Sequence, residues 1–185
     1  MDVIDTELPG LKIIQPKVFG DARGFFLETY SAKRYAEAGI DREFVQDNLS
    51  FSTRGILRGL HFQNPSAQGK LVSVLMGEVF DVAVDMRVGS PSFGKWFGMF
   101  LNAETKQQLW VPGGFAHGFL VTSETALFSY KCDAYYNPHS EYSLLWNDPD
   151  IGIVWPIDTP TLSAKDKTGQ RLRDFSKTSL PIFNS

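Results

Sequence analysis

Short apolar segments recur along this chain, each closed off by glycine, proline or an Asn/Asp turn, and that punctuation limits the fold more than any other feature. Residues 25–30, 70–76, 78–87, 95–102, 107–111, 117–122, 126–133 and 141–146 each read as a strand. Many short strands at this spacing predict an all-β sandwich or barrel. Within 78–87, Phe80, Val82, Val84 and Met86 share one face while Asp81 and Asp85 point the other way. Within 126–133, Ala126, Phe128, Tyr130 and Cys132 share a face opposite Ser129, Lys131 and Asp133. Met76-Gly77-Glu78 reads as the turn of a hairpin joining two of the longest strands. Helical signals are few: Ser31 caps a short helix that Gly39 stops, and Ser163 caps another turn through Asp166 and Lys167. No linker or internal repeat interrupts the pattern, so residues 1–185 are expected to form a single domain.

Composition narrows the classes of function. The 14% aromatic content, including 15 phenylalanines, suits strands. A formal net charge of −3 gives no bulk attraction to nucleic acid, so anion binding must come from a local cluster. Cys132 is the single cysteine, which excludes an internal disulfide and a thiolate zinc site. The acidic start Met1-Asp2-Val3-Ile4-Asp5 lacks a signal-peptide signature, and no apolar run approaches the roughly 18 residues of a spanning helix. A soluble, cytoplasmic protein with no membrane partner is expected.

One local cluster does exist. Arg54-Gly55-Ile56-Leu57-Arg58-Gly59-Leu60-His61-Phe62-Gln63, followed by Gln68-Gly69-Lys70, sets cations around an imidazole among apolar residues. Charged side chains are seldom buried without a partner, so this reads either as a pocket for an anionic ligand with proton chemistry or as a guarded strand edge. Strict alternation puts Arg58 and His61 on opposite faces of a sheet. Both serve one pocket only if the backbone breaks alternation, and Gly55 and Gly59 are where it could. The remaining histidines are His117, where a glycine-rich turn enters a strand, and His139. A metal-binding cupin supplies paired histidines one residue apart, and here the position two after His61 is Gln63. His61 is a general base or a structural histidine, and Tyr130 a proton donor or a core tyrosine.

Taken in order, the motifs resemble those of the dTDP-4-dehydrorhamnose 3,5-epimerase family. They are Arg23-Gly24-Phe25-Phe26-x-Glu28, Gln46-Asp47-Asn48, Arg58-Gly59-Leu60-His61-Phe62-Gln63, Gly69-Lys70 and the run from Gly77 to Asp85. Pro112-x-Gly114-Phe115-Ala116-His117-Gly118-Phe119, Tyr130, Tyr136-x-Pro138-x-x-Glu141 and Trp146-Asn147-Asp148-Pro149 continue the match. The resemblance implies a cupin-type jelly roll with a few short peripheral helices, a homodimer, and catalysis without metal or organic cofactor. The implied substrate is dTDP-4-dehydro-6-deoxy-D-glucose, whose ketone acidifies the hydrogens on both flanking carbons.

By position, the resemblance makes His61 the base, Asp166 its orienting carboxylate, Tyr130 the acid on the opposite face and Lys70 the cation that stabilises the enolate. Arg23 and Arg58 would meet the diphosphate or sugar, and Tyr136 would stack on thymine. Phe26, Glu28, Gln46, Asp47, Asn48, His117, Glu141 and Lys165 would complete the substrate contacts. Single-site epimerases share much of this constellation and stand as the alternative. A metal-dependent cupin and a non-catalytic carbohydrate-binding module are the more distant ones.

Overall fold

In the computed structural model, which describes residues 1–183, thirteen strands follow one another, with one short α-helix among them and another after the last. In chain order they are β1 (Asp2–Asp5), β2 (Lys12–Gln15), β3 (Val18–Asp21), β4 (Gly24–Leu27), β5 (Gln46–Thr53), β6 (Leu57–Gln63) and β7 (Lys70–Met76). Then come β8 (Glu78–Asp85), β9 (Trp96–Asn102), β10 (Gln108–Val111), β11 (Phe115–Val121), β12 (Thr125–Cys132) and β13 (Glu141–Ser143). Helix α1 spans Ala32–Glu37 and α2 spans Ala164–Lys167. A six-stranded sheet in the order β1-β2-β10-β7-β12-β5 faces a five-stranded sheet in the order β13-β6-β11-β8-β9. The hairpin β3–β4 forms a third, two-stranded sheet. This is the sandwich that the strand spacing predicts.

Strand β8 shows how the layers are filled. Val79 and Ala83 belong to the core between the sheets, with Val72, Phe119 and Phe128. Phe80, Val82, Val84 and Met86 face outward, where Ile151, Trp155, Phe175 and Leu180 from the carboxy-terminal segment cover them. Both faces of β8 are therefore buried, and the aspartate face is the inner one. Asp85 is satisfied there by Arg87 Nη2 at 2.8 Å and by the hydroxyls of Ser90 and Ser92, each at 2.6 Å. A third cluster, Ile14, Tyr35, Ile40, Leu71 and Trp110, fixes α1 to the outside of the six-stranded sheet.

Two local expectations change. Gly77 does not close a hairpin, because β7 lies in one sheet and β8 in the other. Each strand needs two flanking partners to satisfy its backbone groups, and β7 finds β10 and β12 while β8 finds β11 and β9. Gly77, at φ +76, turns a corner between layers. Gln46-Asp47-Asn48, outside every strand expected from the sequence, begins the eight-residue edge strand β5.

The helix ends follow their chemistry except at Ser31, where the expected side-chain cap is absent. Gly39 ends α1 at φ +82, with Gly39 N–H donating to Ala36 and Ile40 N–H to Tyr35. Ser163 Oγ accepts from the Asp166 N–H at 3.1 Å, which pins α2 and with it the Asp166 side chain.

Candidate active site

Between the two sheets lies a cavity of about 320 Å³. His61 (β6) and His117 (β11) enter it from the five-stranded sheet, Lys70 (β7) and Tyr130 (β12) from the six-stranded sheet. Arg58, Ser50, Lys165 and Asp166 also line it. The Arg58/His61 conflict is resolved by a bulge. His61 pairs with His117 and Arg58 with Phe119, so β6 spends three residues where β11 spends two. Gly59 sits in that bulge at φ +114, against Gly118 of the neighbouring strand. A Cβ on Gly59 would lie 2.6 Å from Gly118 Cα, so the extra residue is accommodated only as glycine.

The histidines are each tied to a buried carboxylate. His61 Nε2 is 2.6 Å from Asp166 Oδ1, and His117 Nε2 is 2.9 Å from Asp81 Oδ1. A carboxylate only accepts, so in both rings Nε2 carries hydrogen and the neutral imidazole is left with Nδ1 as its basic atom. Burial pushes the Asp166 carboxyl up. The hydrogen bond and charge of His61, with Ser163 and the Gly59 backbone, outweigh burial and hold it below its ordinary value. On the other side of the His61 ring, Nδ1 is 3.9 Å from Glu141 Oε1. Glu141 Oε2 in turn meets the Lys165 ammonium and accepts from Tyr136 Oη at 2.8 Å.

On the opposite wall, burial pushes the Tyr130 phenol up, with Arg58 opposing only in part, so it keeps its proton at neutral pH. Burial also lowers the Lys70 ammonium, against the pull of Cys132, Glu141, Asp133 and Asp81. Among the described residues Lys70 has no ion-pair partner within 4.0 Å, and its charge is open to the cavity. Arg58 Nε donates to Ser52 Oγ at 3.0 Å, bridging the two sheets at the cavity rim. Ser50 Oγ is the single buried side-chain oxygen or nitrogen without a partner among the described residues.

The other residues implied by the resemblance are distributed. Register places Gln46, Asn48 and Ser50 on the inner face of β5, opposite Cys132, Tyr130 and Phe128. Asp47 faces outward and pairs with Lys131 at 2.9 Å. Tyr136 is half-exposed, its Oη on Glu141 and its N–H donating to Gln46 Oε1 at 2.9 Å. Arg23, Phe26 and Glu28 lie on or beside the β3–β4 hairpin, outside this cavity. Arg23 pairs with Asp21 and Glu28 with Arg34. Sequence reading missed Asp81 and Ser52, which orient His117 and Arg58, whereas Ser163 caps the turn that holds Asp166 as its sequence position predicts. The signal for Asp81 lay in the β8 alternation, where an aspartate opposite an apolar face reads as solvent-facing. Among the described residues no group of three or more His, Cys, Asp or Glu lies close enough together to hold a metal ion, and no helix is long and apolar enough to cross a membrane.

A basic imidazole on one wall, a protonated phenol on the other and an unpaired ammonium beside it supply what inversion of a carbon next to a carbonyl requires. On this sandwich they define a cupin-like carbohydrate epimerase. More narrowly, the chain belongs to the dTDP-4-dehydrorhamnose 3,5-epimerase family, whose model matches residues 5–174. It is 56% identical to the enzyme of that name from Shigella flexneri, over 94% of this chain and 97% of that one. It is 55% identical to the Neisseria gonorrhoeae protein of the same name over 97% of this chain, and spans 55% of that longer relative. A crystal structure of a 3,5-epimerase from Legionella pneumophila in complex with dTDP-4-keto-L-rhamnose superimposes with a TM-score of 0.96 at 53% identity, covering 100% of this chain and 99% of that one.

Proposed function

We propose that this chain, acting as one domain, inverts both carbons flanking the ketone of dTDP-4-dehydro-6-deoxy-D-glucose to give dTDP-4-dehydro-L-rhamnose. The observation that carries the reading is the placement of His61 and Tyr130 on opposing sheets around one cavity that also holds the Lys70 charge. His61 Nδ1 takes the proton α to the ketone, and Asp166 stabilises the imidazolium through Nε2–H. The electron pair of the broken C–H bond moves onto the ketone oxygen, where Lys70 meets the enolate. That cation counts more in the transition state than in the ground state, because the oxygen charge exists only there. Tyr130 then delivers a proton from the far face, and the centre inverts. A single group on one side would return the proton whence it came.

The cavity volume suits the hexose, leaving the diphosphate for Arg58 and the base for Tyr136 at the mouth. The exposed phenylalanines of the hairpin, Phe19, Phe25 and Phe26, with Leu49 and Phe51 on the outer face of β5, form apolar surface that a second copy would cover. A homodimer built this way would also bring Arg23, Phe26 and Glu28 toward a nucleotide held by the partner subunit. Sedimentation at micromolar concentration tests it, and a monomer would exclude it. The reaction itself is tested by incubating the protein with the keto-sugar nucleotide in heavy water. Deuterium is expected at both carbons beside the ketone; deuterium at one supports a single-site epimerase, and at neither removes the reading.

A further inference from the structure

Two inversions by one base raise a problem that the geometry itself answers. After the first, His61 holds a proton and Tyr130 has lost one, and neither is ready for the second carbon. With a hexose filling the cavity, His61, 30% exposed in the empty cavity, is cut off from bulk water. Among the described residues, the one carboxylate in ion-pair range of its Nδ1 is Glu141, at 3.9 Å. Oε1 of that carboxylate faces the imidazole while Oε2 meets Lys165 and Tyr136, both half-exposed at the mouth.

We infer that Glu141 is the proton relay that resets His61 between the two inversions, carrying the proton from the closed cavity to solvent. A side-chain shift of about one ångström turns the 3.9 Å approach into a hydrogen bond. The Nδ1–H bond then breaks with its electron pair left on nitrogen, and an O–H bond forms at Oε1. Glu141 passes that proton to water or a buffer base at the mouth, and the Tyr130 phenolate, only partly buried on the opposite wall, takes one back from water on its own side of the sugar, so no net proton is consumed. Burial would raise the Glu141 carboxyl, but hydrogen bonds from Lys165 and Tyr136 and the charge of His61 keep it below its usual value, so it rests ionised and able to accept. Resting beside Nδ1 rather than Nε2, it does not compete with Asp166.

The inference rests on the double-epimerase reading, and one single-turnover experiment separates the two. The keto-sugar nucleotide is mixed with excess protein in heavy water, and exchange at each carbon is followed by quenched-flow mass spectrometry and NMR. With Glu141→Gln, the readout is the ratio of the exchange rates at the two carbons, in which any slowing common to both, from a lost substrate contact, cancels. Exchange at the second should slow by about 10²-fold relative to the first, the usual worth of a positioned proton acceptor, so a singly exchanged sugar accumulates. Added formate or imidazole should restore the second step, and Glu141→Asp should recover part of it. Glu141→Ala with formate gives the same readout should the glutamine variant fail to fold. Equal slowing at both carbons, with no response to formate or imidazole, would overturn the relay and leave Glu141 a substrate contact. Absence of exchange in the wild-type protein would instead remove the underlying reading.

Discussion

Replacing Asp166 by asparagine keeps the shape of the pair with His61 and removes its charge. Over 2.6 Å, Coulomb attraction between imidazolium and carboxylate is about 6 kcal/mol at an effective dielectric of about 20 and about 2 kcal/mol in bulk water. Asp166 is 5% exposed and His61 30%, so the pair lies between these limits, and part of the attraction survives as a neutral hydrogen bond. A loss of about 2–4 kcal/mol results, or about 30- to 10³-fold in rate. The attraction develops only as His61 takes a proton, so the loss should fall on kcat and leave KM nearly unchanged. Because abstraction precedes everything else, heavy-water exchange and epimerisation should fall together. The assay is steady-state turnover beside exchange at both carbons, with circular dichroism to confirm folding. A kcat within threefold of wild type, or a defect confined to KM, would refute the assignment of Asp166 to imidazolium stabilisation.

Three further outcomes follow from the same geometry. Tyr130→Phe should cut epimerisation by about 10²-fold or more while exchange persists, since abstraction by His61 survives; parallel loss of both would make Tyr130 structural. Lys70→Met should abolish turnover yet raise Tm at neutral pH, because the desolvation of a buried ammonium disappears. The sign is set by the lowered Lys70 value: between it and the ordinary lysine value the unfolded chain binds more protons, so wild-type stability rises with pH across that window, and the methionine variant should lose the slope. Gly59→Ala should cost about 2–4 kcal/mol in urea unfolding, from a positive φ and a Cβ pressed on backbone; a cost below about 1 kcal/mol would mean that the bulge relaxes freely.

How much of this was legible in sequence differs from element to element. Residues 70–76 match β7 to the residue, and 126–133 is β12 shifted by one, because apolar alternation against a packed core is a strong local signal. Strand β5 was missed for the converse reason. Its inner face, Gln46, Asn48, Ser50 and Ser52, is polar, with Ser50 lining the cavity, while Leu49 and Phe51 face outward, so its amphipathic sense is reversed. The turn at Gly77 was visible, but whether a one-residue turn folds a strand back or sends it to another sheet depends on partners far along the chain. Gly59 was located as a possible break in alternation; that it opposes Gly118 is a long-range pairing no local window contains. The dyad of His61 and Asp166 spans 105 residues and came from the family resemblance, with Ser163 as the only local clue.

The opposed Gly59 and Gly118 also bear on which sugars the cavity admits. Gly118 lines it, and a Cβ there would lie 2.5 Å from the Arg58 carbonyl oxygen. That stretch of wall is the bare main chain of Gly118, with no side chain to intrude on the hexose. A pocket bounded by a leucine or valine is retuned in steps of a methyl group; this boundary has no smaller residue to retreat to and no larger one that leaves the strands in register. Changes in substrate bulk must therefore be met at the opposite wall, among Ser50, Phe128 and Tyr130.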